Sequence, residues 1–295
     1  MRCVIYNPTA RGEKARAFRD EVKTLAKDWE LHPTTCPGDA RTLAAKATRD
    51  GFTDIIAAGG DGTLNEVVNG IGDVEGGFDK VNFGFLPLGT INVFARELGL
   101  PLKWQNAWQV ASTGKTINID VVLAEFTNAS GKLEKRYFVQ LAGAGLDARA
   151  VELVSWKQKK VIGPFAYIIA GFRALSEPRK LIKVSANESA TGELVLFGNG
   201  RLYGGSFNFF PRASLQDGQM HISVFPKVNF FQLLKAVIGM YTGSVYRMCE
   251  AHQIQATKVQ LSSDGHVPLQ LDGDLVGALP ATITVLPKAL RVRVP

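Results

Sequence analysis

The stretch IIAAGGDGTLNEVVNG, Ile55 to Gly70, sets three glycines, an aspartate and a threonine between a short apolar run and a helical pattern. Ile55 to Ala58 is too short for a helix and reads as the end of a buried strand. Leu64, Val67, Val68 and Ile71 follow the i, i+3, i+4, i+7 spacing of an amphipathic helix. The glycines therefore occupy a strand-to-helix turn. Thr63 is expected to cap the helix, with Glu66 three residues on completing a capping box that aims the free N–H groups of the first turn outward. Gly59, Gly60 and Gly62 let the backbone approach a bound anion without a Cβ in the way. Asp61 repels phosphate unless a metal ion or a hydroxyl-bearing ligand stands between them, so the turn points to a nucleotide with Mg²⁺. The alternative reading is an ordinary capped helix after a tight turn.

Outward from this turn, strand and helix patterns alternate. CVIYNP, ELHPTT, TDIIAA and VNFGFLP read as strands, and Glu13 to Trp29, Asp39 to Asp50 and Leu64 to Ile71 as helices. Such βαβ units make a mostly parallel sheet with helices on both faces, whose ligands bind at the carboxyl ends of the strands. Three unusual segments, NPTARG, GGDGT and PLGTINVFAR, fall at those ends. After about Ile117 the pattern becomes strand after strand (INIDVVLAEF, KRYFVQLAG, RKLIKVSAN, GELVLFGN, RLYGGSFNFFP, QMHISVF), interrupted by two helical stretches. This predicts a first domain over 1–117 and a largely antiparallel sandwich or barrel over 118–295. The pattern leaves open which sheet the closing strands ATITVLP and LRVRVP join.

Length and composition agree with two domains. The 295 residues, 46% of them hydrophobic, supply ample core and argue against disorder. The opening MRCVIYNP runs straight into a strand pattern, and Cys3, Cys36 and Cys249 are too scattered for a disulfide framework or a metal site, so a reducing cytoplasm is expected. The net charge of +7 calls for an anionic partner: a nucleotide, a nucleic acid or an acidic membrane face. Lys157, Lys159 and Lys160 precede the apolar segment VIGPFAYIIAGF, and Arg173, Arg179 and Lys180 follow it. That segment is shorter than the roughly 18 apolar residues of a membrane span. It reads as a core helix with solvated ends in preference to a helix lying at the membrane interface.

Several other signals are weaker. GAGLDA, Gly143 to Ala148, fits the dinucleotide-binding pattern but lies in the antiparallel half without an acidic residue at the expected distance, so its glycines read as structural. The four histidines share no metal-binding spacing, and Walker A and protein-kinase motifs do not occur. Aromatic and basic residues are not interleaved on a nucleic-acid module, which argues against nucleic acid as partner. Asp217, in DGQM, and Asp272 and Asp274, in LDGDLVG, sit in Asp-Gly turns. Each alone reads as a hairpin, but the pair around Gly273 can reach a metal or a substrate hydroxyl.

GGDGTLNEVVNG together with PLGTINVFAR, GAGLDA, FFPRASLQDG and LDGD, in that order from Asn7 to near the C-terminus, resembles the diacylglycerol kinase catalytic-domain family, which includes sphingosine and ceramide kinases. The resemblance implies an NAD kinase-like α/β domain, a C-terminal β-sandwich, ATP and Mg²⁺ in the cleft between them, and a lipid hydroxyl as acceptor. It sets ATP against Asn7, Pro8, Thr9, Thr34, the Gly60-Asp61-Gly62-Thr63-Leu64-Asn65-Glu66 run and Thr90, with Gly59, Gly89 and Asn92 beside them. It makes Asp274 the base for the hydroxyl, gives Asp61 a catalytic part in orienting the metal or its water, and implies a Mg²⁺ site of Asp217 with the carbonyls of Ser214 and Gln219. Asp120 and Asp272 are further acidic candidates. Val93 stands where family members carry a carboxylate, and the family's DGE ending is DGD here. The expected activity is a membrane-associating, cytoplasmic lipid kinase with diacylglycerol as first acceptor. Sphingoid bases, ceramide-like lipids and polyprenols are the substitutes, and a non-catalytic nucleotide or lipid-binding regulator is the rival. A homodimer is a further expectation.

Overall fold

The computed structural model describes residues 1–8, 13–153 and 165–295. Thr9, Lys157, Lys159, Lys160 and the start of the VIGPFAYIIAGF segment lie outside the described residues. The chain divides into two compact units: Met1–Val121 with Pro287–Pro295, and Val122–Leu286.

The first unit is built from β1 (Arg2–Tyr6), α1 (Glu13–Leu25), β2 (Glu30–Pro33), α2 (Asp39–Arg49), β3 (Asp54–Gly59), α3 (Asp61–Gly72), α4 (Gly77–Lys80), β4 (Asn82–Pro87), α5 (Val93–Glu97) and α6 (Trp104–Thr113). The strand β5 (Lys115–Thr127) leads out of it. β1 pairs in parallel with β2 and β3, and β3 with β4. The end of the last strand, β17 (Asp274–Val294), adds Arg291 opposite Asn82, again parallel. Because side chains alternate across a sheet, Val4, Ile56, Ala58 and Leu86 meet Phe18 and Val22 of α1 and Trp104, Ala107 and Ala111 of α6. α2 and α3 pack on each other so closely that a Cβ on Gly70 would strike the backbone of Arg41. The crossovers from β1 to β2 and from β2 to β3 run in opposite directions. The sheet therefore has its switch point between β1 and β3, where open α/β sheets take their ligands. Asp54 is buried beside Arg293. Burial raises its pKa, but the guanidinium's hydrogen bond and charge outweigh that and leave it lowered.

The second unit is antiparallel. It contains β6 (Leu133–Phe138), β7 (Leu141–Gly145), α7 (Leu146–Leu153), α8 (Phe165–Ala174), β8 (Ile182–Ser185), β9 (Ser189–Gly192), β10 (Leu194–Gly198), β11 (Leu202–Tyr203), β12 (Phe207–Asn208), β13 (Met220–Phe225), α9 (Phe230–Thr242), α10 (Val245–Met248), β14 (His252–Ala256), β15 (Lys258–Ser263) and β16 (Pro268–Leu271), with the start of β17. One run of strands is β14-β13-β10-β7-β16, continued by the start of β17. Farther along, β17 pairs β15, and β15 pairs β8. Val195, Phe197, Ile222, Ile254, Leu269, Val184, Leu261 and Ile283 share one apolar core, as in a β-sandwich.

Two expected strands are broken, each for a local reason. KRYFVQLAG splits into β6 and β7 because the Asp272 carboxylate takes the N–H groups of Val139, Gln140 and Leu141. RLYGGSFNFFP is a small hairpin, β11 against β12, turning at Gly204 and Gly205, both with positive φ. Among the described residues no helix is long and apolar enough to cross a membrane.

Candidate active site

In the first unit the expected nucleotide residues gather along the carboxyl edge of the parallel strands. Asn7 and Pro8 follow β1, Thr34 follows β2, Gly59 ends β3, and Gly89 and Thr90 follow β4. The loops after β3 and β4 are tied together, since the N–H groups of Leu88 and Gly89 both donate to Gly59 O, at 2.8 and 3.2 Å. Their approach excludes side chains: a Cβ on Gly89 would lie 2.6 Å from Gly60 Cα. Around Gly62, by contrast, a Cβ would meet nothing within 4 Å, so this face of the turn is open.

The capping box expected of Thr63 and Glu66 does not form. α3 starts three residues earlier than expected, at Asp61 in place of Leu64, with Gly60 as N-cap and no side-chain cap. Thr63 already lies inside the helix. The Glu66 carboxylate reaches across to the start of α2, accepting from Gly38 N at 3.0 Å and Ala40 N at 3.1 Å. α2 thus receives the carboxylate that the sequence promised to α3, and no N-cap side chain covers the first turn of α3. Leu64 and Asn65 turn their side chains inward, so any part they take in binding falls to their backbone. Beside β2, Asp39 accepts from Thr35 N and Oγ1, at 2.7 and 2.5 Å, and from Cys36. The Thr35 bonds hold its carboxyl down to about 2 and shape the loop after Thr34.

Asn92 caps α5 in the left-handed conformation and is buried. Its Nδ2 donates to Gly89 O at 2.8 Å, while its Oδ1 has no hydrogen-bond partner among the described residues. An open glycine at an uncapped helix N-terminus fits a phosphate group, and the buried Asn92 acceptor fits a donor such as a ribose hydroxyl or a water. Asp120 is fully buried, with Oδ1 accepting from Lys288 N at 2.7 Å, and so pins the closing strand.

The second unit holds the remaining candidates. LDGD is a two-residue hairpin turn in which Leu271 pairs with Asp274, and the intervening Asp272 and Gly273 both have positive φ, 48° and 88°. Asn, Asp and Gly are the residues such turns favour. Asp272 is occupied by three backbone N–H groups at 2.8 to 3.0 Å, which makes it a structural pin. Asp274 is exposed. The turn is held from beneath as well. Gln270 accepts from Gly273 N at 2.8 Å through Oε1 and donates through Nε2 to Asp147 Oδ2 at 2.7 Å, and Tyr203 donates its hydroxyl to Asp147 Oδ1. Asp147 keeps some exposed surface as a residue, but its carboxyl group is enclosed. Burial pushes its pKa up against the lowering effect of Tyr203 and Gln270.

Asp147, Gln270 and Tyr203 are the group that sequence reasoning missed. GAGLDA was legible for its glycines, and Gly143 is indeed structural, because a Cβ there would collide with the Asp147 carboxylate. The aspartate of the same motif was the available signal.

Asp217 also closes its own loop. It accepts from Ser214 N at 3.0 Å and Gln219 N at 2.9 Å, and His221 Nε2 lies 3.0 Å from Oδ2. Among the described residues no group of three or more His, Cys, Asp or Glu could hold a metal ion. One carboxylate with the Ser214 and Gln219 carbonyls is nevertheless an oxygen-only set, the kind a hard cation takes with water completing the shell. Against the helices of this unit lies an apolar cavity of about 110 Å³, walled by Leu146, Leu196, Phe209, Phe225, Leu233 and Met240, with Asp147 and Tyr203 on its lining.

A family model described as "Diacylglycerol kinase catalytic domain" matches residues 2–124, and one described as "YegS C-terminal NAD kinase beta sandwich-like domain" matches residues 140–294. A diacylglycerol kinase of Staphylococcus saprophyticus subsp. saprophyticus is 31% identical over 300 residues, covering 99% of this chain and 94% of that protein. The diacylglycerol kinase of Staphylococcus carnosus is 30% identical over 300 residues, with the same coverage of 99% and 94%. Among solved structures, a diacylglycerol kinase from Bacillus anthracis str. Sterne superposes with a TM-score of 0.75 at 20% identity, covering 99% of this chain and 96% of that one. A second solved structure from the same organism reaches 0.80 at 20% identity, covering 99% and 94%. At that identity the structures speak for the fold alone.

Proposed function

The chain belongs to the diacylglycerol kinase family of lipid kinases, and from that membership we propose that it transfers the γ-phosphoryl group of ATP to the free hydroxyl of diacylglycerol, giving phosphatidic acid and ADP. The observation that carries the nucleotide half is the N-terminus of α3 at the switch point of the sheet. It has no N-cap side chain, and it is open at Gly62. Backbone N–H groups of that turn and the hydroxyls of Thr63 and Thr90 hold phosphate oxygens, while Asn7, Pro8 and Thr34 line the edge on which the nucleotide rests. Thr9 belongs to the same proposed set.

Asp61 would orient a Mg²⁺ ion or its water on the nucleotide side, and Asp217 with the Ser214 and Gln219 carbonyls would hold a structural ion; bound there, Mg²⁺ would offset phosphate charge and polarise the transferring group. Asp274 accepts the proton of the acceptor hydroxyl as its oxygen forms the new bond to phosphorus and the bond from phosphorus to the ADP oxygen breaks. The network of Asp147, Tyr203 and Gln270 fixes the turn that presents Asp274, and the apolar cavity beside it offers a surface for the first carbons of a lipid chain. The reaction is assigned to the cytoplasmic face of a membrane.

The test is transfer from labelled ATP, with Mg²⁺, to dioleoylglycerol, sphingosine, ceramide and a polyprenol presented in mixed micelles. Preferred labelling of dioleoylglycerol is expected. Preferred labelling of another alcohol would replace the acceptor, and a protein that binds ATP and labels none of them would overturn the kinase in favour of a regulator.

A further inference from the structure

α9, FFQLLKAVIGMYT, is apolar except for a stripe of Gln232, Lys235 and Thr242, yet part of its apolar surface faces solvent. At about 100° per residue, Phe230, Phe231, Leu234, Ile238 and Tyr241 fall within an arc of about 100°. They are 55%, 71%, 40%, 43% and 57% exposed. This exposure does not come from a frayed helix. Asn229 caps the N-terminus through a 2.9 Å bond from Gln232 N, and Gly243 ends it in the left-handed conformation. The adjoining side is already used, since Leu233, Ala236, Val237 and Met240 wall the apolar cavity. The aromatic residues at the two ends are braced, Phe230 on Phe172 of α8 at 5.0 Å between ring centres and Tyr241 on Phe207 at 4.9 Å.

We infer that the outward face of α9 is a membrane-insertion surface, lying in the headgroup region of an anionic lipid leaflet. The helix has 13 residues, far fewer than the roughly 20 needed to span, so it lies in the plane of the interface. Aromatic rings at its ends and aliphatic side chains between them are the pattern of an interfacial helix. Charge selects this occupant over a second copy of the chain. α9 has no acidic residue, it carries the exposed Lys235, and the exposed Lys227 precedes it; a facing copy would oppose these lysines with its own, whereas anionic headgroups complement them. The exposed Ile169 and Arg173 of α8, which packs on α9, continue the surface.

The inference rests on a lipid acceptor and explains how the protein meets one: the helix that walls the cavity would be bathed on its other side by the leaflet that holds the substrate. The test uses the full chain with vesicles of phosphatidylcholine and phosphatidylglycerol at physiological salt. Leu234→Gln with Ile238→Gln should weaken vesicle binding about tenfold or more, and a tryptophan introduced by Phe231→Trp should be quenched by brominated acyl chains. Wild-type binding by a folded double variant, or an unquenched tryptophan, overturns the inference. So does a dimer that the double substitution dissociates, which would assign the face to a second copy. Dihexanoylglycerol, free in solution, separates the two readings. Equal phosphorylation by wild type and double variant is expected, and failure of both to phosphorylate it would sink the kinase reading while leaving the vesicle result to decide the surface.

Discussion

Gln270 Nε2 donates to Asp147 Oδ2 at 2.7 Å, and the same side chain accepts from Gly273 N at 2.8 Å, so an enclosed carboxylate on α7 sets the orientation of the turn that carries Asp274. Burial of that carboxyl group outweighs the hydrogen bonds from Tyr203 and Gln270 and leaves its pKa raised, which has a consequence for stability. A folded pKa raised above the ordinary 3.8 means that the unfolded chain loses its proton first as pH rises. Stability contributed at this site is therefore greatest below 3.8 and falls as pH climbs from there through the folded value. Asp147→Asn removes that dependence. The melting temperature of wild type minus that of Asp147→Asn should decrease as pH rises from 3.8, and a difference that stays flat or increases would show that the carboxyl is not titrating in this setting. Asp39, held down to about 2, acts in the opposite direction but is common to both proteins and cancels.

The two aspartates of LDGD should separate by what they control. Asp272→Ala removes the acceptor of three backbone N–H groups, and with about 1 kcal/mol or more for each charge-assisted bond it should destabilise the protein by about 3 kcal/mol in urea unfolding. Asp274→Asn, at an exposed position, should leave the unfolding midpoint nearly unchanged. Equal destabilisation by both would undo the division into pin and base.

The glycines of the nucleotide edge divide in the same way. Gly89→Ala puts a Cβ 2.6 Å from Gly60 Cα and should cost stability, about 1–3 kcal/mol for overpacking. Gly62→Ala meets nothing and should fold normally, yet bind ATP about tenfold more weakly by titration calorimetry, because the methyl group stands where phosphate would approach. Normal ATP affinity in Gly62→Ala would move the phosphate site away from the turn.

The alternation of strand and helix up to VNFGFLP was readable because apolar periodicity reports burial directly, and IIAAGGDGT was readable because few local structures need that many small residues. Asp274 beside an Asp-Gly turn was likewise visible as a local pattern, whereas the start of α3 at Asp61 was not, because Thr63 read as its cap. The fate of Glu66 was not. A capping box and a cap donated to another helix have the same sequence, and only the packing of α2 on α3 decides between them. Asp272 breaks a strand 131 to 133 positions earlier, and Asp147 meets Gln270 across 123 positions. Such partners are set by sheet topology, which local pattern does not encode. The exposed side of α9 was hidden for a related reason: an apolar helix reads as core until its neighbours are known to cover only half of it.

The most direct measurement is the rate of phosphoryl transfer from ATP to dioleoylglycerol at saturating ATP for wild type, Asp274→Asn and Asp274→Glu. Proton acceptance by Asp274 predicts a substantial rate for wild type and a fall of about 10²–10⁴-fold for Asp274→Asn with the KM for ATP little changed. For Asp274→Glu it predicts a rate at or above wild type. Equal, substantial rates in all three would contradict the role of Asp274, and no transfer by any of them would contradict the assignment of the chain as a working diacylglycerol kinase.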